Sequence, residues 1–167
     1  RMTRALWEMY NKSGKTHLQL GNCAEAEKML KAALGVAEKF GPKDPRLAIS
    51  LNNLARLHLG QKRFDVAENL CTRALAIAES ERGPGHPDVA ISLNNLAAVY
   101  REEGRFDEAE PLYKEALAIW EKTGEKGSRG LVTTLENYAV LLRKMNRSAE
   151  ADEMMARRRS LSQRDAE

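Results

Sequence analysis

Apolar residues along this chain recur at three- and four-residue intervals. The stretch around Leu93 to Leu117 shows the pattern best. Leu93, Leu96, Ala97 and Tyr100 fall on one stripe at about 100° per residue, and Ala109, Leu112, Tyr113, Ala116 and Leu117 fall on another. Gly104 and Arg105 stand between them as a turn. The pattern predicts one helix to about Glu103, with Asp88 as its cap behind Pro87, and a second from about Phe106 to Lys122. The small residues Ala97 and Ala109 let the two helices approach closely. Prolines cluster at Pro42 and Pro45 and again at Pro84 and Pro87. Between the clusters run long segments of Ala, Leu, Glu, Lys and Arg, the strong helix formers. No alternation of Val, Ile or Thr predicts a strand, so the expected class is all-α.

The helix pair repeats. The segment from Ala48 to Ala55 recurs unchanged from Ala90 to Ala97, an offset of 42 residues. Arg63, Phe64 and Asp65 recur as Arg105, Phe106 and Asp107 in the same register, and Ala74 to Ile77 recurs as Ala116 to Ile119. A weaker copy follows, with Leu93, Asn95, Ala97 and Ala109 mapping to Leu135, Asn137, Ala139 and Ala151. Going backwards, Ala67 and Ala74 map to Ala26 and Ala33 at an offset of 41, one residue being absent near Lys39 or Phe40. Gly14 then shares a column with Ala55 and Ala97. The expected organisation is a single array of four repeats, about 1–44, 45–86, 87–128 and 129–167, with the first and last divergent. In the last repeat, Arg157, Arg158 and Arg159 occupy the columns of Glu115, Ala116 and Leu117. The final helix is therefore expected to pack through about Met155, to run on into solvent as a polar cap, and to fray beyond Leu161.

These residues carry a family resemblance. Leu93, Leu96, Ala97, Tyr100, Ala109 and Tyr113 fit the tetratricopeptide pattern. The 42-residue period, the loop from Gly83 to Asp88, and the segments Leu93 to Ala97 and Asp107 to Tyr113 resemble the kinesin-light-chain type of repeat. The resemblance implies a right-handed superhelical solenoid. It also implies a concave groove lined by the first helix of each repeat.

Composition narrows the function. Hydrophobic residues make up 43% and charged residues 31%, a soluble globular balance. Against 27 basic residues stand 24 acidic ones, for a net charge of +3, too even for a dedicated nucleic-acid domain. No apolar run approaches the roughly 20 residues of a membrane span. No signal peptide is read at the start, and the chain begins at Arg1, as a fragment of a longer protein would. Cys23 and Cys71 form no CxxC pair, which points to a reduced, cytoplasmic setting.

The helix face opposite the core stripe defines the expected groove. Ile91, Asn94, Asn95, Ala98, Arg101 and Glu102 lie there in the third repeat. Its columns across the four repeats are Asn11, Asn52, Asn94 and Glu136; Lys12, Asn53, Asn95 and Asn137; Lys15, Arg56, Ala98 and Val140; and Leu18, Leu59, Arg101 and Arg143. Asparagine is a mediocre helix former, and its doubling in consecutive repeats implies a role. Its amide donates and accepts at once, so it can hold an extended peptide backbone. It can equally bond to the neighbouring repeat and fix its angle. Both readings stand for Asn53, Asn95 and Asn137, and binding is favoured for Asn52 and Asn94. The candidate peptide-binding residues are Asn11, Lys15, Asn52, Asn53, Arg56, Asn94, Asn95, Arg101, Asn137 and Arg143, with Lys15, Arg56, Arg101 and Arg143 favouring acidic side chains. The expected partner is a protein or peptide, with no nucleic acid and no membrane. Self-association or packing against other domains is the alternative.

Chemistry by the chain itself is not expected. Ser13, Gly14, Lys15 and Thr16 look like the end of a phosphate loop, but Met9 stands where the other glycine is needed. His17 and His58 share a column with Tyr100, which reads as an aromatic slot and not a metal site, since no third ligand is spaced for one. His86 belongs to the loop, and Glu108, Glu110 and Glu115 read as solvated surface. No Ser-His-Asp order, HExxH or GxSxG occurs, so no enzyme, cofactor or metal is expected. Phe64 and Phe106 read as core, whereas Trp7, near the end of the stack, is expected to be partly exposed. Lys or Arg at the columns of Ile91 and Asn95, or Thr133 and Asn137, would suit a clamp for a chaperone tail, and their absence argues against one.

Overall fold

The computed structural model describes residues 2–124 and 128–164. The described residues form eight helices and no strand. They group into two compact halves, Arg1–Pro84 and Gly85–Glu167. The N-terminal half holds α1 (Met2–Gln19), α2 (Cys23–Glu38), α3 (Pro45–Gly60) and α4 (Phe64–Arg82). The C-terminal half holds α5 (Pro87–Glu103), α6 (Phe106–Thr123), α7 (Ser128–Lys144) and α8 (Ser148–Arg164). In each half, consecutive helices pair as hairpins, and the second helix of the first hairpin packs on the first helix of the next.

Every hairpin turns in the same way. Gly21, Lys62, Gly104 and Asn146, which share one repeat column, all have positive φ, at 76°, 59°, 87° and 60°. The next residue then returns its N–H to a carbonyl inside the first helix. Asn22 bonds to His17, Arg63 to His58, Arg105 to Tyr100 and Arg147 to Leu142, at 2.9, 2.9, 2.8 and 2.8 Å. This is the six-to-one bond that closes a helix through a left-handed residue. The second helix starts at once, with Ala26, Ala67, Ala109 and Ala151 all at 0% exposure.

The two middle repeats begin at prolines. Asp44 caps α3, its Oδ1 accepting from the Arg46 N–H at 2.9 Å, and Pro45 fills the first helical position. In α5 the cap is His86, whose Nδ1 accepts from the Asp88 N–H at 3.1 Å. The cap thus sits one residue before Pro87, and the sequence expectation of Asp88 is corrected. A proline at the first helical position pushes its predecessor into the extended backbone that a cap requires.

Trp7 is also corrected. It is only 8% exposed, because its Nε1–H reaches across to Ser50 Oγ at 2.8 Å and joins α1 to α3. Around it lie Ala33, Val36, Ala37, Leu47 and Leu51. In the C-terminal half Trp120 plays the corresponding part, donating to Thr134 Oγ1 at 3.1 Å. Phe64 and Phe106 are only partly buried.

The last helix stays regular through Arg164, and residues 165–167, the end of the expected frayed tail, lie outside the described residues. Ala151 is fully buried. Arg157 ion-pairs with Glu121, and Arg158 reaches Glu136 at 2.8 Å. The arginine in the alanine column is thus accommodated by a carboxylate on α7, as a guanidinium forced toward a packed surface requires. No described helix is long and apolar enough to cross a membrane.

Candidate peptide-binding site

The candidate residues sit on the first helices of the hairpins. In the N-terminal half they form one continuous neighbourhood on α1 and α3. Asn53 Nδ2–H donates to Asn11 Oδ1 at 2.7 Å. Asn52 and Asn53 are both 7% exposed, so these amides lie beneath the surface more than on it. Around them the charges stand out. Lys12, Lys15 and Arg56 are exposed, and neither Lys15 nor Arg56 has an ion-pair partner among the described residues. Asn11, Lys12, Lys15, Thr16 and Gln19 line a shallow depression of 280 Å³. Ile49 on α3 is an exposed aliphatic side chain. These helices carry a paired amide and three exposed cations without an ion-pair partner among the described residues, Lys12, Lys15 and Arg56.

The C-terminal half repeats the amide pair but not the charge. Asn137 Nδ2–H donates to Asn94 Oδ1 at 3.3 Å, and Asn94, Asn95 and Asn137 are half-buried. The two pairs join the same columns, second amide to first amide of the preceding repeat. Arg101 differs from its expectation as an open cation. Its side chain is 12% exposed, and its guanidinium donates to the Tyr113 hydroxyl at 3.2 Å and to the Asn137 carbonyl at 3.3 Å, with Glu102 alongside at 3.0 Å. Arg143 is exposed and 3.7 Å from Asp152. Ala98 is buried, so the same column that carries Lys15 and Arg56 in the N-terminal half carries no cation here.

Sequence reasoning missed a polar cluster in the C-terminal half. Glu110 was read as solvated surface, but its side chain is only 14% exposed. It accepts from the Tyr138 hydroxyl and from the Arg147 guanidinium, both at 2.7 Å, and Lys114 stands 3.4 Å away. These donors, Arg147 first, hold its carboxyl at about 2. Tyr113 stacks on Tyr138 with ring centroids 5.9 Å apart. A signal was present. Tyr138 occupies the column of Leu54 and Leu96, and a tyrosine in an apolar column brings a hydroxyl that needs a partner. The cluster ties α6 to α7 and α8 and is closed on itself.

The histidine column behaves as a core slot in part. His58 is 7% exposed, and burial pulls its imidazole below the ordinary value while the Glu27 carboxylate opposes. His17 is half-buried, with Nδ1 3.5 Å from Asn22 Nδ2. Among the described residues no group of three or more His, Cys, Asp or Glu side chains is placed to hold a metal ion. Cys71 is buried, its thiol pushed up to about 12 by desolvation, and Cys23 is exposed and free.

Comparison with known proteins places this architecture. The sequence matches none of the curated proteins it was compared with. Among solved structures, BtubC (BKLC) from P. vanneervenii is similar at a TM-score of 0.82 and 22% identity, over 98% of this chain and 66% of that one. Aspartyl phosphate phosphatase F from Bacillus subtilis is similar at 0.80 and 17% identity, over 96% of this chain and 41% of that one. A kinesin light chain from Podosopora anserina with nearly identical TPR-like repeats is similar at 0.72 and 20% identity, over 96% and 76%. The chain thus spans 66% and 41% of the lengths of the first two, and at these identities the likeness is one of fold. The tetratricopeptide repeat family model matches residues 7–80, 50–122 and 88–164. That fold is generally a non-catalytic scaffold for protein–protein interaction. With matches running from residue 7 to residue 164, the chain belongs to the tetratricopeptide repeat family.

Proposed function

We propose that the protein binds an extended, acidic segment of a partner protein on the α1 and α3 face of its N-terminal half. The observation that carries this reading is the pair of exposed cations without ion-pair partners, Lys15 and Arg56, in one repeat column beside a depression lined by Asn11, Lys12 and Lys15. Two cations one repeat apart suit carboxylates spaced along an extended chain. The amides of Asn11 and Asn53 bond to each other at 2.7 Å and so set the spacing of the two helices that carry those cations. Asn94 and Asn137 pair in the same way within the C-terminal half. Free thiols suit the reducing cytoplasm as the setting.

The test is a binding titration with a fluorescent peptide rich in Asp and Glu, alongside its Asn and Gln counterpart. The acidic peptide should bind at low salt and the neutral one should not. Lys15→Ala combined with Arg56→Ala should weaken binding about tenfold or more, leaving the melting temperature in place. The difference should shrink as salt rises, because the screening length falls to roughly 8–10 Å near physiological strength. Equal affinity for both peptides, or no effect of the double change at low salt, would remove this face from the account.

A further inference from the structure

We propose that the start of the third repeat is a pH-sensitive device, in which protonation of His86 releases the cap of α5 while Asp44 keeps the equivalent cap of α3 closed. The inference is independent of the peptide face. The two caps share one repeat column. Each stands in extended backbone before a proline, Asp44 at ψ 132° and His86 at ψ 145°. Each accepts the N–H of the residue two places on. Asp44 Oδ1 takes it from Arg46 at 2.9 Å, and His86 Nδ1 takes it from Asp88 at 3.1 Å. Arg46 and Asp88 also share a column, and each pairs with its own cap. Arg46 lies 2.7 Å from the Asp44 carboxylate, and Asp88 Oδ2 lies 3.6 Å from His86 Nδ1. The order is thus reversed between the repeats, acid before base in α3 and base before acid in α5.

The two acceptors differ in chemistry. A carboxylate accepts at any pH above its own acid range, and the Arg46 guanidinium bonded to Asp44 holds that carboxyl below its ordinary value. An imidazole nitrogen accepts only while it carries no proton. The bond from Asp88 therefore requires a neutral ring with its proton on Nε2. Histidine rings gain their second proton between about pH 8 and pH 5. Nδ1 then turns an N–H toward the N–H of Asp88, and the two donors repel. One amide at the start of α5 loses its acceptor, and a positive charge stands at the positive end of the helix dipole. The cap of α5 is therefore made above this window and lost as pH falls through it, whereas the cap of α3 persists across it. His86 is partly exposed, so solvent protons reach the ring. Arg82 precedes it in the chain. On the elements packed against α5, the charged groups at the same end are Glu121 and Lys122 of α6 and Arg129 of α7. Glu121 is taken by Arg157, and among the described residues His86 ion-pairs with Asp88 alone. The His86 carbonyl still accepts from the Val89 N–H at 2.9 Å, so the change is confined to the first turn.

The test is nuclear magnetic resonance of the isotope-labelled full chain. At about pH 8, long-range nitrogen–proton spectra should show the His86 ring neutral, with its proton on Nε2. From there to about pH 5 the Asp88 amide should move with the titration of that ring. Its protection from exchange, corrected for the intrinsic pH dependence, should fall by about fivefold. The Arg46 amide should keep both its shift and its protection. His86→Asn caps without titrating and should hold the Asp88 amide protected throughout, whereas His86→Ala should leave it unprotected at both ends. A neutral ring protonated on Nδ1, or an Asp88 amide that keeps its protection in acid, overturns the proposal. So does an Asp88 response that survives in His86→Asn or is matched at Arg46, because it would then come from another group or from the fold as a whole.

Discussion

At the residue scale, the most telling position is Lys62, which holds at φ 59° a backbone slot that Gly21 and Gly104 fill without a β-carbon. A left-handed residue other than glycine costs about 1 kcal/mol. Lys62→Gly should therefore stabilise the protein by about 0.5–1 kcal/mol, read as a higher melting temperature, and a lower one would mean that the lysine side chain contributes more than its backbone costs. Gly14 makes the opposite case. A β-carbon there would lie 2.5 Å from Leu30 Cδ2 and 3.2 Å from the Leu30 backbone nitrogen, and Leu30 is fully buried. Gly14→Ala should cost about 1–3 kcal/mol in denaturant melts despite alanine's better helix propensity. The phosphate-loop look of this segment is thus a by-product of a close helix contact. Glu110 sets an acid limit. Its carboxyl is held at about 2 against an ordinary 4.5, so its contribution is complete above pH 4.5 and drains away as pH falls toward 2. Glu110→Gln should lower stability at neutral pH by on the order of 1–3 kcal/mol and flatten the loss over that acidic window. An unchanged pH profile would show that the Arg147 and Tyr138 contacts carry no net stabilisation.

At the scale of elements, the helices and their turns were legible because periodicity and glycine placement follow from backbone geometry. Helix pairs start at Pro45 and Pro87, and each hairpin closes at Gly21, Lys62, Gly104 or Asn146, whatever the residue. Caps were less legible. Asp88 has the commoner capping side chain, yet the proline decides which residue is extended, and that residue is His86. His86→Ala should cost about 0.5–2 kcal/mol, more than Asp88→Ala, in thermal melts. The asparagine columns were legible as special but not as to partner, since an amide that pairs with its own kind one repeat away has the same sequence signature as one that grips a peptide. Arg101 was misplaced for a related reason. The helical wheel gives its direction, but not the Tyr113 hydroxyl and Asn137 carbonyl that draw it in. Arg101→Ala should therefore lower the melting temperature, whereas Arg56→Ala should leave it unchanged. In α8, the arginines end the apolar stripe but not the helix. Amides of residues 158–164 should still exchange faster than those of 109–119, because Arg157 and Arg158 are held by partly exposed ion pairs, which contribute little each.

At the scale of the whole molecule, the two halves share one repeat and differ in surface. The N-terminal half leaves cations open at Lys15 and Arg56, while the C-terminal half turns Arg101 inward and places Ala98 in the cation column. The proposed acidic-peptide site is accordingly confined to the first two hairpins. The divergence is written in the columns, but which cations stay open depends on the partners of each charged group. The most direct measurement is amide chemical-shift mapping of the isotope-labelled full chain on addition of the acidic peptide at low salt. Shifts should concentrate on residues 11–19 of α1 and 49–57 of α3 and disappear in the Lys15→Ala, Arg56→Ala protein. Shifts centred on the exposed side of α4, around Val66 and Arg73, or on α7 and α8, would contradict it.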